Sequence, residues 1–330
     1  MKRPCISVAI KATKKRTMNK KRIQIFLMVC DVALIIIYAL LFHLSRPMSS
    51  TSVAFVPQGS IGQIITYMVD KNFDLHARVD KYLLDLIGKP QAGWVSIQES
   101  VLTRGDFLYK LSHSKAPLKI ITYIPGETKE FLLAQLALEF NLSYETLQQE
   151  YAKATPYADG FIVPETYYIP VGIKEAQLIH FLFAHAKRYH KDVFEKIFGE
   201  FNEQKWLKFI IIASIIQKEA ANNEEMPFVS SVIYNRLKKE MKLQMDGSLN
   251  YGQFSHTKIT PQRIREDTSP YNTYMYKGLP PQPICSVSKE AIFAAIFPKQ
   301  TNYLYFVKNK NGTHTFSQNY ETHLENIKKE

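Results

Sequence analysis

The sequence predicts an α+β protein: a single N-terminal transmembrane helix, then a small α/β subdomain, then a larger mixed helical and β domain. Three observations carry this prediction. A long apolar run follows a cluster of basic residues, strand-like and helix-like segments alternate between residues 51 and 150, and a helical stretch from 175 to 240 gives way to loops and one hairpin.

The charge has a definite place in the chain. The formal charge is +12, and nine positives lie within residues 1–22: Lys2, Arg3, Lys11, Lys14, Lys15, Arg16, Lys20, Lys21 and Arg22, with no acid among them. Only +3 is left for everything that follows, so no nucleic-acid partner is expected. The apolar run Ile23–Leu44 matches the ~20 residues a spanning helix needs. A basic flank ahead of such a run places residues 1–22 in the cytoplasm, residues 23–44 in the membrane and all beyond Arg46 on the far side. A cleaved signal peptide would have an apolar core of ~7–15 residues and a small-residue cleavage site. This core is longer and His43-Leu-Ser-Arg-Pro47 makes a poor site, so an uncleaved anchor is expected. Met18 is an alternative start, since Asn19-Lys-Lys-Arg22 would orient the helix by itself. Asp31 is costly in lipid and must lie shallow or meet a partner helix. Two of the three cysteines, Cys5 and Cys30, sit at or within the membrane, which leaves Cys285 no disulfide partner outside it.

Residues 45–155 are expected to form the small subdomain. Val56-Pro-Gln-Gly-Ser60 precedes the amphipathic run Ile61–Met68, and Ile124-Pro-Gly-Glu-Thr128 precedes Lys129–Leu136. Each reads as a strand, a turn, a Ser or Thr cap and a helix, which makes an internal repeat. Gly93–Ile97 and Leu118–Tyr123 read as strands from their β-branched and aromatic content. Strand–helix–helix–strand modules of this kind resemble LysM domains, which bind N-acetylglucosamine polymers; fold alone leaves glycan binding and a purely structural role both open.

Residues 156–330 are expected to form the second domain. Asp159–Pro170, with turn residues and two prolines, reads as a fixed crossover, and Glu165 within it reads first as a polar residue of a Pro-rich surface loop, with a carboxyl of interest as the alternative. Asn222–Pro227 breaks the helical stretch, after which Phe228, Val229, Val232, Ile233 and Leu237 repeat at helical spacing. Lys289–Phe297 reads as a further helix. Asn302–Val307 and Thr313–Ser317 read as a hairpin about an Asn-Gly turn.

Familiar catalytic signatures are absent: no G-x-S-x-G, H-E-x-x-H, C-x-x-C or phosphate loop occurs. His314 and His323 fit no metal spacing well, and neither a metal nor a cofactor is expected. Glu219 stands out. It ends Ile211–Ala220, and the residues three, four and seven positions back are Ile216, Ile215 and Ile212, so its carboxyl belongs to an apolar stripe. A carboxyl held there resists ionisation and can stay a proton donor near neutral pH. The alternative is a helix-end glutamate whose head reaches water or a lysine. Downstream, Gln244-Met-Asp246 and Tyr271-Asn272-Thr273-Tyr274 gather amides, hydroxyls and flat rings, the mixture that binds sugars, beside a rigid Gly278-Leu-Pro-Pro281 loop.

Taken together, Ala213–Glu219, Val232–Leu237, Leu243–Asp246, Tyr271–Tyr274, Gly278–Pro281, Tyr303–Val307 and Gly312–Phe316 occur in the order seen in the MltG (YceG-like) family, which the chain resembles over essentially residues 50–330. The resemblance implies an endolytic murein transglycosylase of the bacterial inner membrane, with its catalytic domain in the periplasm. It implies nascent peptidoglycan strands as substrate and murein synthases (penicillin-binding proteins) as partners. It places the family's catalytic glutamate at Glu219. Gln217 stands where many relatives carry a second glutamate, Gly247 where a proline is usual, and Cys285-Ser286 where an Asn-Pro pair is usual. By the same implication the chemistry needs one carboxyl. Glu219 protonates the glycosidic oxygen between N-acetylmuramic acid and N-acetylglucosamine, then takes the proton of the 6-hydroxyl as a 1,6-anhydro end closes. Gln244, Asp246 and Asn272 would orient the sugar, with Thr273 beside them, and Tyr271 and Tyr274 would form walls. Two other readings stay open. A hydrolytic muramidase needs a second carboxyl ~5–10 Å from Glu219, with Asp246 and Glu165 as candidates. A non-catalytic, membrane-anchored glycan-binding protein that recruits a synthase needs none.

Overall fold

The computed structural model describes residues 6–330, with side chains from residue 20 onward; Cys5, Met18 and most of the basic segment 1–22 fall outside the described side chains. Helix α1 runs Ile6–Ser45. Within it Lys20–Ser45 holds an 18-residue stretch with a mean hydropathy of 2.8 and is the one described helix long and apolar enough to cross a membrane. The chain separates into two compact units, one ending at Pro117 and one spanning Leu118–Glu330.

In the first unit, strands β1 (Pro47–Ser49) and β2 (Val53–Val56) lead to helices α2 (Ile61–Asp70) and α3 (Ala77–Ile87). Strands β3 (Gly93–Ser96) and β4 (Val101–Thr103) and helix α4 (Arg104–His113) follow. β2 pairs antiparallel with β3 and β1 with β4. The apolar stripe of α2 (Ile64, Ile65, Met68) closes over Val56, Val95 and Ile97 beside Leu84, Phe107 and Leu108. Ser60 starts α2 with a capping box: its hydroxyl accepts from the Gln63 amide while the Gln63 side chain accepts from the Ser60 amide. The end of α1 is fastened by charge. His43 donates through Nε2 to Asp80 Oδ1 at 2.7 Å, and Arg104, 3% exposed, reaches the His43 ring and the Asp74 carbonyl.

The second unit opens with β5 (Leu118–Thr122), α5 (Lys129–Phe140), α6 (Tyr144–Ala154) and β6 (Thr166–Pro170). β5 pairs antiparallel with β6. The order β2–α2–α3–β3 therefore recurs as β5–α5–α6–β6, and the repeat read from the two Pro-Gly turns is present in the topology. Two expectations change here. Residues 166–170, read as a crossover, form a strand, because Tyr167 and Ile169 alternate into the core while Thr166 and Tyr168 face out. The line between compact units falls at Pro117/Leu118. The reason is the β5–β6 pairing, which ties 118–122 to 166–170 and makes the second copy part of the larger unit. Thr128, expected to cap α5, instead donates its hydroxyl to the Gly252 carbonyl at 2.9 Å.

Helices α7 (Glu175–Phe198), α8 (Glu203–Glu219) and α9 (Met226–Lys238) follow, with Gly199 ending α7 at a positive φ. Every residue from Ile210 to Ile216 on α8 is buried, so this helix is surrounded on all sides. It packs against α9 and α11 (Lys289–Ile296), with the short α10 (Pro261–Glu266) in the intervening loops. The hairpin β7 (Tyr305–Lys308) and β8 (His314–Ser317) and a final helix α12 (Tyr320–Lys329) complete the unit.

Candidate active site

Glu219 is the last residue of α8, partly buried where the apolar helix meets the loop after α9. Its Oε1 accepts the amide of Gly247 at 2.6 Å. Gly247 is buried in the tight turn Asp246–Leu249, and a Cβ there would stand 2.6 Å from the Lys218 Cβ and 3.0 Å from Glu219 Oε1. Only glycine lets the turn come this close. Burial pushes the Glu219 carboxyl up to about 7; the Gly247 amide opposes this, the Asp246 charge adds to it, and Arg236 opposes it. The acid therefore exchanges its proton near neutral pH, which suits a group that must first give a proton and then take one.

The surrounding residues sort themselves by what they bond. Arg236 of α9 is 7% exposed and donates to the carbonyls of Leu304 (2.6 Å) and Leu243 (2.7 Å), with its guanidinium 5.1 Å from the Tyr305 ring centre. It fixes the strand into the site and sets a permanent positive charge near Glu219. Gln244 is exposed, with φ +46°, an uncommon left-handed backbone for a residue other than glycine. Its amide donates to the Thr273 carbonyl at 3.1 Å, and its side-chain oxygen lies 3.5 Å from Arg236 Nη1. Asp246 is exposed and accepts the Tyr274 hydroxyl at 2.6 Å. Burial and this carboxylate push the Tyr274 phenol well up, so it stays a hydrogen-bond donor.

Glu219, Gln244, Asp246 and Tyr274 thus come together, and three other residues in the expected set do not join them as ligand-facing groups. Asn272 is fully buried: its Nδ2 donates to the carbonyls of Ile264 and Asp267, and its Oδ1 accepts the Tyr274 amide. Thr273 is 2% exposed and its hydroxyl is shared with the Met245 amide and Ser248. Both side chains are spent on holding the loop. Tyr271 stacks on Tyr251 with ring centres 4.4 Å apart, on a neighbouring hollow lined also by Glu130, Tyr144 and Asp159.

The remaining sequence candidates have structural partners. Gln217 accepts the Ser288 amide at the start of α11, Glu165 pairs with His185 at 2.6 Å, and His314 holds Glu225 through its amide and Nδ1 at 2.7 and 2.8 Å. Cys285 is fully buried, with its thiol pKa pushed up by that burial. Among the described residues no group of His, Cys, Asp and Glu could hold a metal. Sequence reasoning gave Arg236 and Gly247 no role in the site. Arg236 carried the same signal as Glu219, a charge on an apolar stripe beside Val232 and Ile233. Gly247 showed only as a departure from the usual proline, because its close approach exists only between distant segments.

Relatives share this framework. A solved YceG-like protein of Listeria monocytogenes superposes with a TM-score of 0.55 at 24% identity, covering 83% of this chain and 97% of the other; this likeness shows the fold alone. Among curated proteins, an endolytic murein transglycosylase of Bacillus subtilis (strain 168) is 34% identical over 167 residues, 50% of this chain and 46% of that one. An endolytic murein transglycosylase of Streptococcus pneumoniae (strain D39) is 27% identical over 233 residues, 68% of this chain and 40% of that one. The chain thus spans less than half the length of these curated relatives. Residues 55–329 match the YceG-like family along most of the chain, and the protein belongs to that family.

Proposed function

We propose that this protein is an endolytic lytic transglycosylase that cuts nascent murein strands, with Glu219 as acid and then base. The observation that carries the reading is the Glu219 carboxyl poised at about 7 and aimed by the Gly247 amide. Protonated Glu219 gives its proton to the glycosidic oxygen between N-acetylmuramic acid and N-acetylglucosamine as the C1–O bond breaks. The carboxylate so formed takes the proton of the muramyl 6-hydroxyl, whose oxygen closes onto C1 and leaves a 1,6-anhydro end. Gln244 and Asp246 face solvent beside the acid and serve the sugar's hydroxyl and acetamido groups, with Tyr274 as a wall that also donates. Asn272 and Thr273 act through the loop they brace, and Tyr271 extends the aromatic surface. The names of the curated relatives support this chemistry.

In this reading α1 anchors the protein in the bacterial inner membrane with its basic start in the cytoplasm, everything after α1 lies in the periplasm, and murein synthases are neighbours. Glycan binding by the first unit belongs to the same reading.

A muramidase is the second reading, favoured by the Asp246 charge close enough to act on Glu219. Digestion of purified murein followed by mass spectrometry separates the two. Anhydro-muramyl ends, lost in Glu219→Gln, are expected; reducing ends would assign a muramidase, and equal cleavage by the variant would remove Glu219 from the chemistry.

A further inference from the structure

The turn that opens the second copy of the repeat, Ile124–Thr128, touches both parts of the chain whose separation sets the Gly247–Glu219 contact. On one side is the segment Ile284–Ser288, fastened along α8. Its Ile284 amide donates to Ser214 Oγ at 3.1 Å and its Ser288 amide to the Gln217 side chain at 3.0 Å. The turn pairs with this segment at Ser286. The Gly126 amide donates to the Ser286 carbonyl at 3.0 Å, and the Ser286 amide donates to the Glu127 carbonyl at 2.8 Å. The Ser286 hydroxyl donates to the Ile124 carbonyl at 3.0 Å.

On the other side is the loop that carries Gly247. Thr128 is fully buried and donates its hydroxyl to the Gly252 carbonyl at 2.9 Å, while His256 Nε2 lies 2.9 Å from the Glu127 carboxylate. The Thr128 hydroxyl is free for this bond because Asp159 takes its place at the start of α5, accepting the Lys129 amide at 2.9 Å. Gly252 lies just beyond the Asp246–Leu249 turn, so little chain separates it from the amide that aims the acid. Its carbonyl otherwise accepts the Ser255 amide at 3.3 Å, a bond inside its own turn that offers no fixed point.

We propose that the second copy of the repeat is a positioning element for catalysis and that Thr128 is its positioning residue: the hydroxyl holds the loop at Gly252 so that the Gly247 amide stays aimed at Glu219. The inference rests on Glu219 as the acid of the proposed function. Thr128 carries no charge, so it acts on the acid through geometry alone. Small displacements suffice, since a misplacement of ~1 Å can cost ~10²-fold in rate.

The test uses the full chain in detergent with isotope-labelled glutamate, the Glu219 δ-carbon signal being assigned by its loss in Glu219→Gln. Thr128→Val keeps the shape and removes the donor, Thr128→Cys weakens the donor, and Thr128→Ser retains it. As the hold on Gly252 slackens, the Gly247 amide leaves Oε1, the carboxylate loses its hydrogen bond and the titration midpoint rises. Parent and Thr128→Ser are expected to coincide, with Thr128→Cys above them and Thr128→Val highest, by about half a pH unit or more. Murein cleavage should fall about tenfold in Thr128→Val and return in Thr128→Ser. A role in stability alone would lower the unfolding temperature and leave the midpoint in place. Coincident midpoints in all four proteins, or a midpoint that falls, overturn the inference; Thr128→Ser and Thr128→Cys carry the comparison should Thr128→Val not fold. The midpoints are read without substrate. A set that follows this order while the parent cuts no murein would therefore overturn the proposed function and leave the hold of Thr128 on the acid standing.

Discussion

The Gly247 amide donates to Glu219 Oε1 at 2.6 Å, and the α-carbon behind that amide is too close to Lys218 and Glu219 to carry a side chain. One contact therefore aims the acid and restrains how far its pKa can rise.

Gly247→Ala should disturb both effects. The added methyl forces the turn or the carboxyl to move, at a stability cost of about 1–3 kcal/mol. As the amide draws away from Oε1, the carboxylate loses its hydrogen bond and the pKa rises. Murein cleavage should fall and its alkaline limb should move to higher pH; a loss of rate with an unmoved limb would mean the amide does not act on the acid.

Glu219→Gln should lower cleavage by about 10²–10⁴-fold and raise stability at alkaline pH. The sign follows from linkage. The folded state holds this proton up to about 7, against an ordinary value of 4.5, so it binds more protons than the unfolded chain between those limits. Stability is lost as pH rises through that window. The variant lacks this loss, so it should be about 1–3 kcal/mol more stable than the parent above pH ~8, and the gap should close below pH ~4. Thermal unfolding across pH measures it.

Asp246→Asn removes the charge that adds to the burial-driven rise of the Glu219 pKa. The alkaline limb of cleavage should move to lower pH, the reverse of Gly247→Ala. A muramidase using Asp246 as its second carboxyl would instead lose nearly all activity at every pH.

Arg236→Gln should cost about 2–5 kcal/mol, because two buried carbonyls lose the guanidinium that serves them, at ~1–3 kcal/mol each. Denaturant titration reads this directly. Arg236→Lys should recover little of it, since an ammonium cannot reach the Leu304 and Leu243 carbonyls with a fork.

Much of this protein was legible before any fold. Local patterns disclosed the apolar run of α1, the Ser60 cap, the hairpin after residue 302 and the apolar stripe that ends at Glu219, because each depends on neighbours within a few positions. The repeat was visible in its Pro-Gly turns, but its second copy closes with β6, and strand pairing between 118–122 and 166–170 has no local signature.

The sequence determined that an acid would sit at the end of an oily helix and that amides and tyrosines would follow it. Tertiary structure decided which of them meet. Asn272 and Thr273 have the chemistry of sugar ligands, yet burial turns them inward to hold the loop, while Asp246 and Tyr274 are left to face Glu219. The choice belongs to packing. Whether a polar side chain serves a ligand or the protein's own carbonyls depends on what distant segments bring within about 3 Å of it, and a list of residues does not contain those distances.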